Sequence, residues 1–199
     1  MVIKTSAKKV LLVLLKDFSR IHTVTSLAEE IHISRVGIWK TIKKLEADNY
    51  ITLQAVGFGK TSASTAKINW DNIIVEKALS LYLTEEALTR RRWRTNFVEL
   101  ENKADFLILY GSILHSPKKA NDIDVIGIVS GSNRFVDIDK IINRIQKTQM
   151  EKIHYLMFGK EEFIEELQKP NKAFIDAIKK GIILFGQEKF VKFMKELRK

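Results

Sequence analysis

The chain has 199 residues, of which 45% are apolar, and it carries a formal net charge of +10. It contains no cysteine, which excludes disulfide-stabilised domains and thiolate metal sites, and no apolar run approaches the ~18 residues of a membrane span. The length accommodates one large or two small domains with a buried core. We expect a cytoplasmic protein without membrane segments, whose basic charge favours a polyanionic partner, most simply nucleic acid.

The first 70 residues show three helical patterns followed by a hairpin. Apolar residues recur at helical spacing over residues 5–18, and hydroxyl side chains suited to N-caps precede a second pattern at 27–31. Ser34 is a candidate N-cap for a third helix, whose apolar residues repeat at i, i+4 and i+7. Alternating strands over 51–56 and within 61–69 complete the hairpin.

This order of elements is that of a winged helix-turn-helix, and residues 27–51 closely resemble the core of that family. The resemblance implies double-stranded DNA as the partner, with the third helix in the major groove and the hairpin as the wing. A homodimer on a palindromic site is compatible with this arrangement.

Basic residues are concentrated in this N-terminal part, which has eleven Lys and Arg against five Asp and Glu in residues 1–70. Such side chains can meet phosphates or base edges when they lie on the helix that enters the groove. Trp39, also on the outer side of that helix, is expected to contact DNA, the connector or a dimer mate. The alternative is a winged helix used for protein contacts with a solvated basic face. The candidate DNA-binding residues are Ser34, Arg35, Lys40, Lys43, Lys44 and, at the wing tip, Lys60.

Residues 70–95 have the composition of a helical connector and include the run Arg-Arg-Arg-Trp-Arg at 90–94. Two interpretations of this run remain open. It can bind a nucleic acid backbone or a triphosphate, with Trp93 stacking on a base. It can equally be a solvated helix face around one buried aromatic side chain. We therefore divide the chain into residues 1–69, the connector at 70–95, and a second domain at 96–199.

The second domain contains the most informative stretch of the sequence. An apolar strand over 106–110 runs into Gly111-Ser112, and Asp122 and Asp124 open a second apolar strand. Alternate residues of a strand face the same way, so the two carboxylates lie side by side and favour a divalent cation with oxygen ligands. The backbone N–H groups and hydroxyl of Gly111-Ser112 suit a phosphate. Together these features are typical of phosphoryl or nucleotidyl transfer.

The spacing from Gly-Ser to Asp-x-Asp is similar to the signature of the DNA polymerase β-like nucleotidyltransferase superfamily, and residues 95–190 look like its minimal branch. The resemblance implies that Gly111 and Ser112 hold a nucleoside triphosphate. It also implies that Asp122 and Asp124 are catalytic and bind Mg²⁺, while a nucleoside monophosphate is transferred to a protein or RNA acceptor. The family's usual third acid is replaced by His154, on a strand expected at 152–158.

The expected fold class is α+β, with an N-terminal winged helix-turn-helix, a helical connector and a nucleotidyltransferase-like domain built on a small mixed sheet. Asp137 and Asp139 precede a helical pattern and are expected to cap that helix. One functional hypothesis is a DNA-binding nucleotidyltransferase. The alternative is a transcription regulator whose transferase-like domain is degenerate and serves nucleotide sensing or dimerisation. The resemblance also leaves open a small toxin-like protein partner.

Overall fold

The computed structural model describes residues 5–56, 63–131 and 133–198. They form two compact units, an N-terminal unit that ends at Tyr82 and a C-terminal unit that begins at Leu83. The elements in chain order are α1 (Thr5–Lys16), α2 (Val24–Ile31), α3 (Arg35–Ala47), β1 (Ile51–Val56), β2 (Ala63–Ile68), α4 (Ile73–Leu88), α5 (Arg91–Asn96), β3 (Phe106–Tyr110), β4 (Asp122–Ile128), α6 (Asn133–Gln146), β5 (Lys152–Phe158), α7 (Lys160–Gln168), α8 (Lys172–Lys180), β6 (Ile182–Phe185) and α9 (Gln187–Glu196).

Local capping defines the turn between α2 and α3. Thr23 caps α2, where its hydroxyl accepts a hydrogen bond from the Ser26 amide at 3.1 Å and the Ser26 hydroxyl accepts one from the Thr23 amide at 2.9 Å. The helix ends at His32, which adopts a left-handed conformation at φ 58°. Ser34 then caps α3 by accepting from the Gly37 amide at 3.2 Å. The predicted pair of helices joined by a tight turn is therefore confirmed.

The hydrophobic core of the N-terminal unit includes residues from α1, α2, α3 and the hairpin. Leu11, Leu27 and Ile42 come from the three different helices, and all are fully buried. Strands β1 and β2 pair antiparallel, from Ile51 opposite Ile68 towards the wing. The wing turn, and Lys60 with it, lies outside the described residues.

The C-terminal unit contains a mixed four-stranded sheet in the order β5-β4-β3-β6. Strand β3 is antiparallel to both β4 and β6, whereas β4 and β5 are parallel. A parallel pair needs a crossover connection, and α6 provides it. The expectation of a small mixed sheet in this part of the chain is confirmed.

The two faces of this sheet bury different side chains. One face contributes Leu107 and Val125 to a largely aliphatic core that also includes Trp93 and Ile142. On the other face, phenylalanine rings pack edge to face around Phe106. Strands β3 and β4 are buried on both faces along most of their length, whereas β5 exposes alternate side chains. The polar ends of β3, β4 and β5 meet at one end of this sheet. Among the helices the structure describes, none has the length and apolar character needed to cross a membrane.

One expectation about α6 is wrong. Asp137 and Asp139 lie inside this helix, because it begins at Asn133 and not near Ile141. The Asp137 carboxylate accepts a hydrogen bond from Lys103 Nζ at 3.2 Å, and that of Asp139 accepts one from the Tyr155 hydroxyl at 3.0 Å. Both acids therefore tie α6 to neighbouring segments instead of capping it.

Candidate functional site

The sheet register brings Asp122, Asp124 and His154 together. Asp124 lies opposite His154 in the parallel ladder between β4 and β5, and opposite Tyr110 in the antiparallel ladder between β3 and β4. Because side chains alternate along a strand, Asp122 projects from the same face as Asp124. Within the described residues, one donor atom from each of Asp122, Asp124 and His154 lies within 4.8 Å of the other two.

The cluster is tight but open to solvent. His154 Nδ1 lies 3.7 Å from Asp122 Oδ2 and 3.5 Å from Asp124 Oδ1. The Asp124 side chain is 19% exposed, that of Asp122 is 37% exposed and that of His154 is 49% exposed. A ligand could therefore approach from the side of His154, while Asp124 lies deepest in the cluster.

The paired carboxylates disturb the ionisation of their neighbours. Burial raises the pKa of the Asp124 carboxyl, the adjacent Asp122 charge raises it further, and the His154 imidazole opposes both effects. Burial also raises the pKa of the Tyr110 hydroxyl, with additional contributions from Asp124 and then Asp122. Burial and the neighbouring carboxylate thus both disfavour the ionised form of Asp124. A bound cation would stabilise that form.

Gly111 brings the backbone after β3 very close to this cluster. Its φ of +84° is a conformation that side-chain-bearing residues rarely adopt, and a Cβ atom there would lie 2.3 Å from Asp124 Oδ2. Ser112 follows on the surface and opens a short 3₁₀ turn, in which Ile113 and Leu114 are buried in the aliphatic core. Gly111 therefore lies against Asp124 of the Asp-x-Asp pair, and the apolar pair that follows Ser112 anchors the loop.

Arg90, the first residue of the run at 90–94, contacts the loop after Ser112, a role that sequence reasoning did not identify. Its Nη2 donates a hydrogen bond at 3.1 Å to the carbonyl oxygen of Leu114, while its buried Nε has no hydrogen-bond partner among the described atoms. Trp93 is only 5% exposed, and Arg92 lies over its ring. The run at 90–94 thus surrounds one buried aromatic, as one of the two interpretations expected, and its first arginine fastens the loop after Ser112.

The donor set does not fit Mg²⁺, the ion that the nucleotidyltransferase resemblance implies. Mg²⁺ demands near-octahedral oxygen coordination, and Asp122 and Asp124 supply oxygen atoms of that kind. The third converging group is an imidazole nitrogen, which suits softer divalent ions. No catalytic step through Mg²⁺ follows from these residues.

A second candidate surface lies on α3. Ile38, Ile42 and Leu45 are buried, which leaves the opposite side of the helix exposed. Trp39 is 40% exposed on that side, and Lys43 Nζ lies 5.0 Å from the centre of its ring. Lys43 also forms an ion pair with Glu46 at 2.8 Å. The exposed basic residues of α3 are Arg35, Lys40, Lys43 and Lys44.

A family model described as an HTH domain matches residues 7–57, which lie within the N-terminal unit. This match agrees with the capped helix–turn–helix and the hairpin of the structure. The N-terminal unit is therefore a winged helix-turn-helix domain of the DNA-binding kind, as its sequence predicted. No curated protein sequence matches the chain.

Solved structures give weak overall similarity. The adhesin competence repressor AdcR from Streptococcus pyogenes is 11% identical, with a TM-score of 0.38 over 73% of this chain and 81% of that one. A mutant of ZitR from Lactococcus lactis in apo form is 18% identical, with a TM-score of 0.32 over 72% of this chain and 82% of that one. At these scores the likeness carries no conclusion about the C-terminal unit.

Proposed function

We propose that the protein is a DNA-binding transcription regulator that reads duplex DNA with α3. The observation that carries this function is the exposed basic surface of α3, a helix whose N-terminus is capped by Ser34. Cations on a helix of this fold are placed to contact phosphates and base edges in a major groove. The C-terminal unit then serves as a regulatory module, through nucleotide sensing or dimerisation, and a dimer would bind a palindromic operator.

The charge of the whole chain supports this role but is not specific to it. The net charge of +10 favours any polyanion. Substitutions at Arg35 and Lys40 can distinguish a specific groove contact from general attraction between the basic protein and DNA, because both residues are exposed on α3. Loss of a true contact should change both affinity and its salt dependence, since each neutralised phosphate contributes about 0.9 to the slope of log K against log salt.

A fluorescent duplex selected from a random pool by the full-length protein provides the test. Arg35→Met and Lys40→Met should each weaken binding by about 5- to 150-fold, as expected for loss of about 1–3 kcal/mol of contact energy. Lys172→Met, which removes another exposed cation, on α8, is the matched control and should bind nearly as the wild type. If the α3 variants bind like Lys172→Met, α3 is not the reading helix.

The second candidate function is nucleotidyl transfer by the C-terminal unit. It is favoured by the backbone of Gly111, which lies against the Asp124 carboxylate, and by the exposed Ser112 that follows it. In this proposal Gly111 and Ser112 hold the triphosphate of a nucleotide, and a nucleoside monophosphate passes to a hydroxyl of a protein or RNA acceptor with release of pyrophosphate.

Transfer is tested by incubating the protein with α-³²P-labelled nucleotides, a panel of divalent ions and candidate acceptors. Labelled acceptor and pyrophosphate should appear with the wild type and disappear with Asp122→Asn and Asp124→Asn. Asp176→Asn, at a surface carboxylate paired with Lys180, is the control that should keep the activity. Nucleotide binding without labelling of any acceptor would favour the sensing role instead.

A further inference from the structure

We propose that Asp122, Asp124 and His154 form a site for a divalent transition-metal ion of the Zn²⁺ and Co²⁺ class, bound in preference to Mg²⁺. Such a site belongs to the C-terminal unit alone. It would bind its ion without nucleotide, and whether or not α3 binds DNA.

The distances between the three side chains suit a single ion. Bonds of roughly 2.1 Å at tetrahedral angles separate neighbouring ligand atoms by roughly 3.4 Å. His154 Nδ1 lies 3.7 Å from Asp122 Oδ2 and 3.5 Å from Asp124 Oδ1, both close to this separation. Both separations exceed the roughly 2.7–3.2 Å of an ordinary hydrogen bond.

The backbone holds these ligands in place before any ion arrives. Asp124 and His154 are direct partners in a parallel ladder that continues as far as Ile128 and Phe158. Gly111 closes over Asp124 from the other side, which restricts the carboxylate to its position. The exposed side of His154 leaves room for water or a further ligand, as in zinc sites that keep an open coordination position.

The imidazole of His154 determines which divalent ion the site prefers. Two carboxylates alone would accept Mg²⁺, which keeps most of its water and prefers oxygen. A nitrogen ligand adds binding energy mainly for Co²⁺, Ni²⁺, Cu²⁺ and Zn²⁺, which stand above Mn²⁺ in the general order of affinity for such sites. Because the sequence has no cysteine, no thiolate competes for these ions elsewhere in the chain.

Isothermal titration of the metal-free, full-length protein with Zn²⁺ and with Mg²⁺, each without nucleotide, tests the site. We expect one Zn²⁺ per chain, and Mg²⁺ weaker by at least about a hundredfold. His154→Ala should lose more Zn²⁺ affinity than the roughly 10–100-fold typical of changes in outer-shell partners. His115→Ala, at another exposed histidine of the same unit, is the matched control and should bind as the wild type.

His154→Asp separates the role of the nitrogen from that of the geometry. It should weaken Zn²⁺ binding and strengthen Mg²⁺ binding, because it completes an all-oxygen set. Visible absorption of bound Co²⁺ should change when His154 is replaced and remain unchanged in His115→Ala. Comparable affinity for Zn²⁺ and Mg²⁺ in the wild type, or full Zn²⁺ binding by folded His154→Ala, would overturn the proposal. These measurements do not involve DNA, so failure of the DNA-binding function would leave them intact.

Discussion

The Arg90 guanidinium donates a hydrogen bond to the backbone carbonyl oxygen of Leu114 at 3.1 Å. This bond fastens the turn after Gly111 and Ser112 from outside the sheet. Arg90→Met should lower the free energy of unfolding by about 1–3 kcal/mol, because a charge-assisted hydrogen bond is lost and the Leu114 carbonyl loses its donor. Chemical denaturation measures this change, with Arg91→Met at the exposed neighbouring position as the control.

Arg90→Met should also weaken the hydrogen bonds of the turn that follows Ser112. The amides of His115 and Ser116 both donate to the carbonyl oxygen of Ser112, at 3.0 and 2.8 Å. Hydrogen exchange at these two amides should accelerate more in Arg90→Met than exchange in the centre of β4. Uniform acceleration across the unit would mean that Arg90 supports the fold as a whole and not this turn.

Gly111 and Gly131 offer a matched pair for a second prediction. Both have positive φ, but a Cβ at Gly131 meets nothing within 4 Å, whereas one at Gly111 meets Asp124. Gly131→Ala should therefore cost only backbone strain, about 1–3 kcal/mol. Gly111→Ala should cost more and should also displace Asp124, so its Zn²⁺ affinity should fall. Equal stability losses and unchanged Zn²⁺ binding in both variants would contradict the close packing of Gly111 on Asp124.

Ser34 has a structural role that can be separated from its predicted DNA contact. Its hydroxyl accepts from the Gly37 amide, so Ser34→Ala should lower the free energy of unfolding by about 1 kcal/mol. Ser34→Asn and Ser34→Asp should both keep the cap. Only the aspartate places a negative charge beside the DNA phosphates, so it should bind DNA more weakly than the asparagine variant at similar stability. Thermal denaturation and duplex titration together distinguish the two effects.

The exposed lysines of α3 should contribute unequally to DNA binding. Lys43 is paired with Glu46 and lies over Trp39, so part of its charge is already compensated. Lys40→Met should therefore reduce the salt slope by close to 0.9, and Lys43→Met by less. Binding titrations at several salt concentrations measure both slopes. A larger loss in Lys43→Met would indicate that the Glu46 pair opens when DNA binds.

The sequence predicted the parts of the fold that depend on local pattern. Alternation and apolar runs placed β3 and β5 at their observed bounds, and the Ser34 hydroxyl marked the start of α3. The predicted nearness of His154 to the acids followed from a family resemblance, and the observed register of β4 with β5 agrees with it. These features are recoverable because each depends on a few neighbouring residues or on one strand pairing.

The contacts that depend on loop conformation were not predictable. Arg90 and Leu114 are 24 residues apart, and their bond exists because Ile113 and Leu114 turn into the core after Gly111. In the sequence, Arg90 is one of several adjacent arginines with nothing to distinguish it. The start of α6, by contrast, was readable from the sequence: Phe135 and Ile138 extend the apolar repeat of Ile141 and Ile145 towards the N-terminus, and the expectation began the helix too late because it left them out.

Strand β5 lies at an edge of the described sheet, hydrogen-bonded to β4 on one side. Unpaired strand edges are templates for association with other chains, and they open more readily than central strands. An ion bound by Asp122, Asp124 and His154 would link β5 to β4 through side chains, in addition to the backbone hydrogen bonds between the two strands. Loss of the ion would then let β5 separate from β4 more often. The metal-free protein should therefore be more prone to aggregation than the metal-bound form.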